Sequence, residues 1–417
     1  MAPLELIDHP YRRAIMDEVH ARPIEIIDAA MRVRRLVFVM PPNAEALGAV
    51  FALFVRFCHE IGVSAPEPGS RQHSFELPSK AVTWEFHSEF VTLTWRSSLA
   101  DGNNQPEDIG LSILGEAQLI AAMRIDVLDE PSVPDRLLPG FALSSLCVSA
   151  VETGLGQVVT DFVADADRFT RFEFAAGRLT PLRRSIVVRR LLEVETYRNM
   201  ALLGLPLARS VSPSLRALEI ELTGLVQTLS AATTAEAVQT ALSALHDLSV
   251  RSGQLSEVLG YRFAASHAYG DILRTRLAGL HEQPTPIGSS LAAYVGNRVE
   301  PALATCAALE KRLSVLSDKI ERAIGLLNVR IGLDMQIQNR ALLDNIAQTA
   351  TSQFRLQRTV EGLSAIAISY YFLGILSYFL AGPLETMHWE KTMALSIAAP
   401  IVVLVVWLMA RAVRNRH

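Results

Sequence analysis

The stretch LSAIAISYYFLGILSYFLA, residues 363–381, is followed after GPLETMHWEK, residues 382–391, by TMALSIAAPIVVLVVWLMA, residues 392–410. Each apolar run holds 19 residues and no charge. At about 1.5 Å of rise per residue such a helix spans about 28 Å, close to the ~30 Å hydrocarbon core of a bilayer. Lipid offers the backbone no partners, so each run must satisfy its own hydrogen bonds as a helix, and the short connection makes a hairpin. The expectation is a transmembrane helix over 363–381, a periplasmic loop over 382–391, a second transmembrane helix over 392–410 and a basic cytoplasmic tail over 411–417. Arg355 and Arg358 precede the first run and Arg411, Arg414 and Arg416 follow the second, whereas Lys391 is the loop's one cation. Cations gather on the cytoplasmic side, so both termini are expected there.

Working upstream, residues 8–10 (Asp8, His9, Pro10) interrupt any apolar leader, so targeting rests on the hairpin. The expected place is a bacterial inner membrane, with a multi-pass anchor and a cytoplasmic body. A net charge of -4 over 417 residues gives no basic surface for nucleic acid. Cys58, Cys147 and Cys306 lie far apart without paired spacing, which fits buried thiols in a reducing compartment.

The body reads as an α+β domain over 1–150, a helical region over 151–300 and a stalk helix over 301–362. Residues 32–40, rich in β-branched and aromatic types, form a strand ended by Pro41 and Pro42, and apolar residues recur at helical spacing over 44–61. Between Ser74 and Arg96 the period becomes two, which predicts one or two strands with a wet face, and 141–150 is a further strand candidate. Together these predict a mostly antiparallel sheet with helices on one face. Strand signals fade beyond Gln157, and amphipathic helices follow over 182–203, 213–230, 234–259 and 261–281. A short helix over 291–299 is expected to stop before Pro301. Leu309, Leu313, Leu316, Ile320, Ala323 and Leu327 then alternate at steps of four and three, a coiled-coil seam or the packed face of a helix within one subunit. Continued into the first apolar run, this helix would be about 80 residues and roughly 120 Å long.

Chemistry has three candidate places. Glu85, His87 and Glu89 share the predicted wet strand face, and His20 with Glu18 and Arg22 joins them from the N-terminal segment. Histidine and carboxylates on one face suit a divalent ion or a proton-coupled switch, while alternation alone explains them as solvated residues. In the helix after 182, Glu193 and Glu195 lie near Arg190 and Arg198, and ion pairing accounts for them. In the first apolar run Tyr370, Gly374, Ser377 and Ala381 share one face, either a helix contact or a pore lining. Glu385 and Glu390 stand in the loop, where a ring of carboxylates would attract cations. No phosphate-cradling loop, nucleophile elbow or set of metal ligands at regular spacing nominates a reaction or a cofactor, so an enzyme is not expected.

Residues 17–23 (DEVHARP), 84–90 (WEFHSEF), 192–198 (LEVETYR) and 358–364 (RTVEGLS) resemble an uncharacterised bacterial family of membrane-anchored proteins, a domain of unknown function. That resemblance covers nearly the whole chain and implies no activity. The layout of body, stalk and two C-terminal membrane helices is similar to that of CorA-type magnesium transporters. It implies a homo-oligomer, a pentamer, whose first membrane helix lines a path for a divalent cation such as magnesium. The Gly-Met-Asn signature of those transporters is absent, and residues 380–384 read LAGPL instead, so no pore residue carries over. The functional expectation is a CorA-like cation channel or transporter with a cytoplasmic regulatory body. The alternative is a membrane-anchored binding or scaffold protein. The lipid bilayer and further copies of the chain are the expected partners.

Overall fold

Residues of β-branched and aromatic type at alternate positions build the first part of the chain around one sheet. The computed structural model describes residues 8–12, 15–16, 22–43, 45–100, 109–231, 234–386 and 391–414. Its strands are β1 (Met31–Val39), β2 (Gln72–Leu77), β3 (Lys80–Phe86), β4 (Phe90–Ser97), β5 (Gln118–Leu128), β6 (Cys147–Val151), β7 (Gly156–Ala164), β8 (Thr170–Ala175) and β9 (Gln283–Pro284). They join in the order β2-β3-β4-β1-β5-β8-β7-β6-β9, with β5 and β8 parallel and the other described pairs antiparallel. The sheet therefore runs past the expected limit at 150, and strand structure does not fade at Gln157. In β7 the residues Val158 and Val159 are both buried, one on each face, so a simple polar alternation never appears.

Helices cover both faces, not one. The centres of β1, β3, β4 and β5 are buried on both sides, and a strand of that kind needs a layer above and below. Helix α1 (Ala46–Glu60) covers the face holding Leu36, Val82, Trp84, Leu93 and Trp95. There Phe54 stacks on Trp84 at 4.5 Å, and the indole N–H of Trp84 donates to the carbonyl of Ile109 at 3.0 Å. Helix α2 (Pro181–Leu202) covers the opposite face, placing Val187, Leu191 and Val194 against Val33, Val37, Met123, Ile125, Phe172 and Phe174. Thr180 caps α2 by accepting from the Arg183 amide at 3.4 Å, and Pro181 occupies the first helical turn, where a missing N–H costs nothing.

Helices α3 (Gly204–Ala231) and α4 (Ala235–Gly279) follow, and α4 is unbroken where two separate helices were expected. Helix α5 runs from Leu291 to Thr386, straight through Pro301. A proline inside a helix removes one hydrogen bond and costs roughly 3 kcal/mol. Burial of Leu291, Val295, Val299 and Leu303 along one face offsets that cost. The seam Leu309, Leu313, Leu316 and Ile320 is buried inside this single chain, so it is an internal packing face and not a free coiled coil. Its neighbours are visible in Arg312, paired with Glu219 of α3 at 2.7 Å, and in Ser317, hydrogen bonded to Ser252 of α4 at 3.0 Å.

The chain separates into two compact units, Met1–Ala323 and Ile324–His417. The second holds the remainder of α5 and helix α6 (Lys391–Arg414). Two helices, Leu291–Phe379 and Thr392–Ala412, are long and apolar enough to cross a membrane. Helix α5 continues to Thr386, into the segment expected as a loop, and residues 387–390 lie outside the described ones.

Candidate functional site

Three strands place a polar band beneath α2. Register sets Thr83 of β3 beside Thr94 of β4 and Thr94 beside Arg35 of β1, while Glu85 pairs with Thr92 and Val33 with Arg96. These side chains share one face because successive residues of a strand alternate. Ser185, Val188, Arg189 and Leu192 lie above them on α2, and the segment Pro23–Ile27 crosses the opening, leaving a cavity of about 60 Å³.

The segment is strapped down by side chains. The Ile27 amide donates to Ser185 Oγ at 2.8 Å, Arg189 donates to the Arg22 carbonyl at 2.8 Å, and Gln72 donates to the Pro23 carbonyl at 3.3 Å. Glu25 accepts from Ser74 and Thr83 and pairs with Arg96 at 3.1 Å.

Glu85 and Arg35 form the cavity's buried ion pair, Nη2 to Oε2 at 2.8 Å, with Thr92 donating to the same oxygen at 2.9 Å and Arg35 Nε donating to Thr94 at 2.7 Å. Burial would raise the Glu85 carboxyl, but the Arg35 guanidinium, with His87, Thr92 and Arg189 beyond it, prevails and holds it down at about 2. Glu85 is therefore a fixed anion at neutral pH. The predicted wet face is corrected: Glu85 lies under α2, not in water.

The three residues 85, 87 and 89 do not act together. Strand β3 ends at Phe86 and β4 begins at Phe90, and the His87 amide donates to the Phe90 carbonyl at 2.9 Å, so alternation was read across a turn. His87 lies flat on Phe90 at 4.1 Å and borders a separate pocket of about 410 Å³ with Ser70, Arg71 and Ser88. Burial pushes it down to about 3; Glu85 opposes that, and Arg22, Arg35 and Arg71 add to it. It stays neutral across the physiological range and is no proton switch there. Glu89 is buried and turns towards α4, where Arg262 reaches it at 2.5 Å and the Tyr261 hydroxyl donates to it at 3.3 Å. Among the described residues no group of three His, Cys, Asp or Glu side chains could hold a metal ion. His20 lies outside the described residues.

The helix pairs resolve as follows. Glu195, fully buried, takes both arms of Arg198 at 2.7 and 2.6 Å and the Thr170 hydroxyl at 3.1 Å. Glu193 pairs with Arg189 at 3.2 Å and with Arg276 of α4 at 2.5 Å, and Arg190 reaches across to Glu152 at 3.2 Å. All are structural links between α2, the sheet and α4. Arg35, Thr94, Arg96, Glu25 and Ser185 were not nominated from sequence. The signal was present in residues 92–96 (TLTWR), whose polar members alternate in phase with Thr83 and Glu85.

In the second unit Tyr370, Gly374 and Ser377 border a groove of about 520 Å³ together with Leu395 and Ala399 of α6, and Ser377 donates to the Gly374 carbonyl at 2.7 Å. Ala381 and Glu385 fall within α5, but their side chains, like Glu390, lie outside what the structure describes.

The convergence of residues 22–27, 83–96 and 185–198 uses three of the stretches that carry the family likeness. Residues 7–417 match the profile of the family described as a protein of unknown function, DUF3422. The chain belongs to that family. No curated protein matches it. In this DUF3422 chain the described site is thus a feature of the matched region as a whole, which spans the sheet, α2 and both apolar helices.

Proposed function

We propose that the chain is a homo-oligomeric inner-membrane protein, a CorA-like cation channel or transporter, with α5 lining the path and the first unit regulating it. The observation that carries this reading is on α5 ahead of its apolar run. Leu326, Val329, Leu333 and Ile337, at steps of three, four and four, are each more than half exposed, and so are Leu342, Ile346 and Val360 further along. Lipid serves the apolar run itself, but this segment precedes it and carries Arg330, Asp334, Arg340 and Asp344 among its apolar residues. Further copies of α5 are the cover that suits such a mixed surface. The cytoplasmic placement of both ends rests on the arginines at 355, 358, 411, 414 and 416. Tyr370, Gly374, Ser377 and Ala381 supply the small and polar stripe of the run, and Glu385 and Glu390 the acidic mouth.

Purified protein in liposomes loaded with a magnesium-sensitive dye tests transport. Influx down an imposed gradient, abolished by replacing Gly374 with Leu, is the expected result. An oligomer that passes no magnesium, sodium or potassium refutes transport and leaves the second reading, a membrane-anchored binding protein. That reading is favoured by the cavity beneath α2, where arginines from the sheet meet an apolar wall.

A further inference from the structure

The cavity beneath α2 has more donors than its own acceptors use. Arg35 and Arg96 rise from neighbouring strands and Arg189, itself engaged by Glu193 and the Arg22 carbonyl, descends from α2; the lining carboxylates are Glu85 and Glu25. Both carboxylates are already engaged: Glu85 by Arg35 and Thr92, Glu25 by Ser74, Thr83 and Arg96. Arg96 spends its terminal nitrogens on Glu25 and on the Ile26 carbonyl at 3.3 Å, and its Nε is buried with no hydrogen-bond partner. Arg35 beside it donates from Nε to Thr94 and from Nη2 to Glu85. A buried guanidinium N–H without an acceptor is costly, so an acceptor is wanted between these two strands. The rest of the lining is apolar, with Val33 from the floor, Val188 and Leu192 from α2, and Ile24 and Ile27 from the strap.

We propose that this cavity binds a small organic carboxylate, its oxygens accepting from Arg96 and Arg35 and its short carbon body lying against Val33, Val188 and Leu192. A cation is disfavoured by the guanidinium groups of Arg35 and Arg96, and a doubly charged anion by the nearby carboxylates of Glu25 and Glu85. The volume limits the carbon body to a few atoms. Entry requires the Pro23–Ile27 strap to lift, and it is held chiefly by side-chain hydrogen bonds, with Pro23, Ile24 and Ile26 exposed. The ligand therefore also fixes the N-terminal segment on the sheet. This site stands on the first unit alone and holds whether or not the assembly transports ions.

The test is a titration of the full chain in detergent micelles with sodium propionate at constant ionic strength, read by thermal shift and by cleavage after Glu25 with a glutamate-specific protease. Saturable stabilisation and protection of the Glu25–Ile26 bond are expected with acetate, propionate or butyrate, and neither with chloride, ethylammonium or octanoate. Replacing Arg96 with Lys keeps the charge but loses the Nε–H, and a loss of affinity of tenfold or more is expected. Equal effects of propionate and chloride overturn the proposal, as does stabilisation by ethylammonium. Unchanged propionate affinity in R96K does so too. Should R96K fold poorly, the size series in the unaltered chain decides: equal binding of propionate and octanoate refutes a cavity of this size.

Discussion

Replacing Glu173 with Gln is expected to stabilise the protein at alkaline pH and to leave it unchanged in acid. Glu173 of β8 is buried, and register sets it beside Asp126 of β5. Asp126 is already engaged by Arg32 at 2.6 Å and Arg124 at 3.6 Å, whereas Arg171 stands 3.8 Å from Glu173. Burial first, and then the Asp126 charge, push the Glu173 carboxyl up from its ordinary 4.5 to about 7, with Arg171, Arg124 and Arg32 opposing. Its pKa is raised on folding, so its contribution to stability is complete below pH 4.5 and is lost as pH climbs through 7. At about 1.36 kcal/mol per pH unit, the loss across that window is roughly 3 kcal/mol. Glutamine keeps the shape and cannot ionise, so the variant lacks this fall. Thermal unfolding in micelles, followed through Trp84 and Trp95 emission from pH 4 to 9, reads the difference between the two proteins. The curves should coincide near pH 4 and separate by several degrees above pH 7.5, the variant being higher. Parallel curves, or a variant that is less stable at pH 8, would refute the reasoning.

Four further outcomes follow from other contacts in the first unit. Replacing Arg35 with Met strands the Glu85 charge in the cavity and should cost about 3–5 kcal/mol, whereas replacing both by Met should recover most of it, as denaturant titration would show. In the unaltered chain the share contributed by Glu85 is present above pH 4.5 and is lost as pH falls towards 2, because its pKa is lowered on folding. An added methyl at Gly270 of α4 would meet Leu303 of α5 at 2.5 Å, so Gly270→Ala should destabilise by about 1–3 kcal/mol and accelerate amide exchange along α4. Replacing Ser185 with Ala removes the acceptor of the Ile27 amide; a glutamate-specific protease should then cut after Glu25 several times faster while the global melting temperature moves little.

Much of this architecture was legible from local pattern. Length and lack of charge identify the apolar parts of α5 and α6, and the β-branched run at 32–40 marks β1. Helical spacing marks α1, and widely separated cysteines are indeed buried thiols at 58, 147 and 306. What escaped depends on contacts distant in sequence. Strands β7 and β8 lie beneath covering layers on both sides, so their polar and apolar residues do not alternate. Pro301 reads as a stop because its local cost is plain, while the apolar face that carries α5 through it is supplied by the rest of the body. The cavity was half legible. Glu85 was visible as a charged residue in a strand, but its partner Arg35 lies 50 residues earlier, and its cover, α2, about 100 residues later. The apparent grouping of 85, 87 and 89 came from carrying a period of two across the turn between β3 and β4.

The central claim is that the exposed apolar faces of α5 are covered by other copies of the chain. Imaging the full-length protein in lipid nanodiscs tests it directly. The account predicts a symmetric ring with the first apolar run of each copy around a common axis. A population of monomers, with Leu326, Leu333 and Ile337 open to solvent, would contradict it.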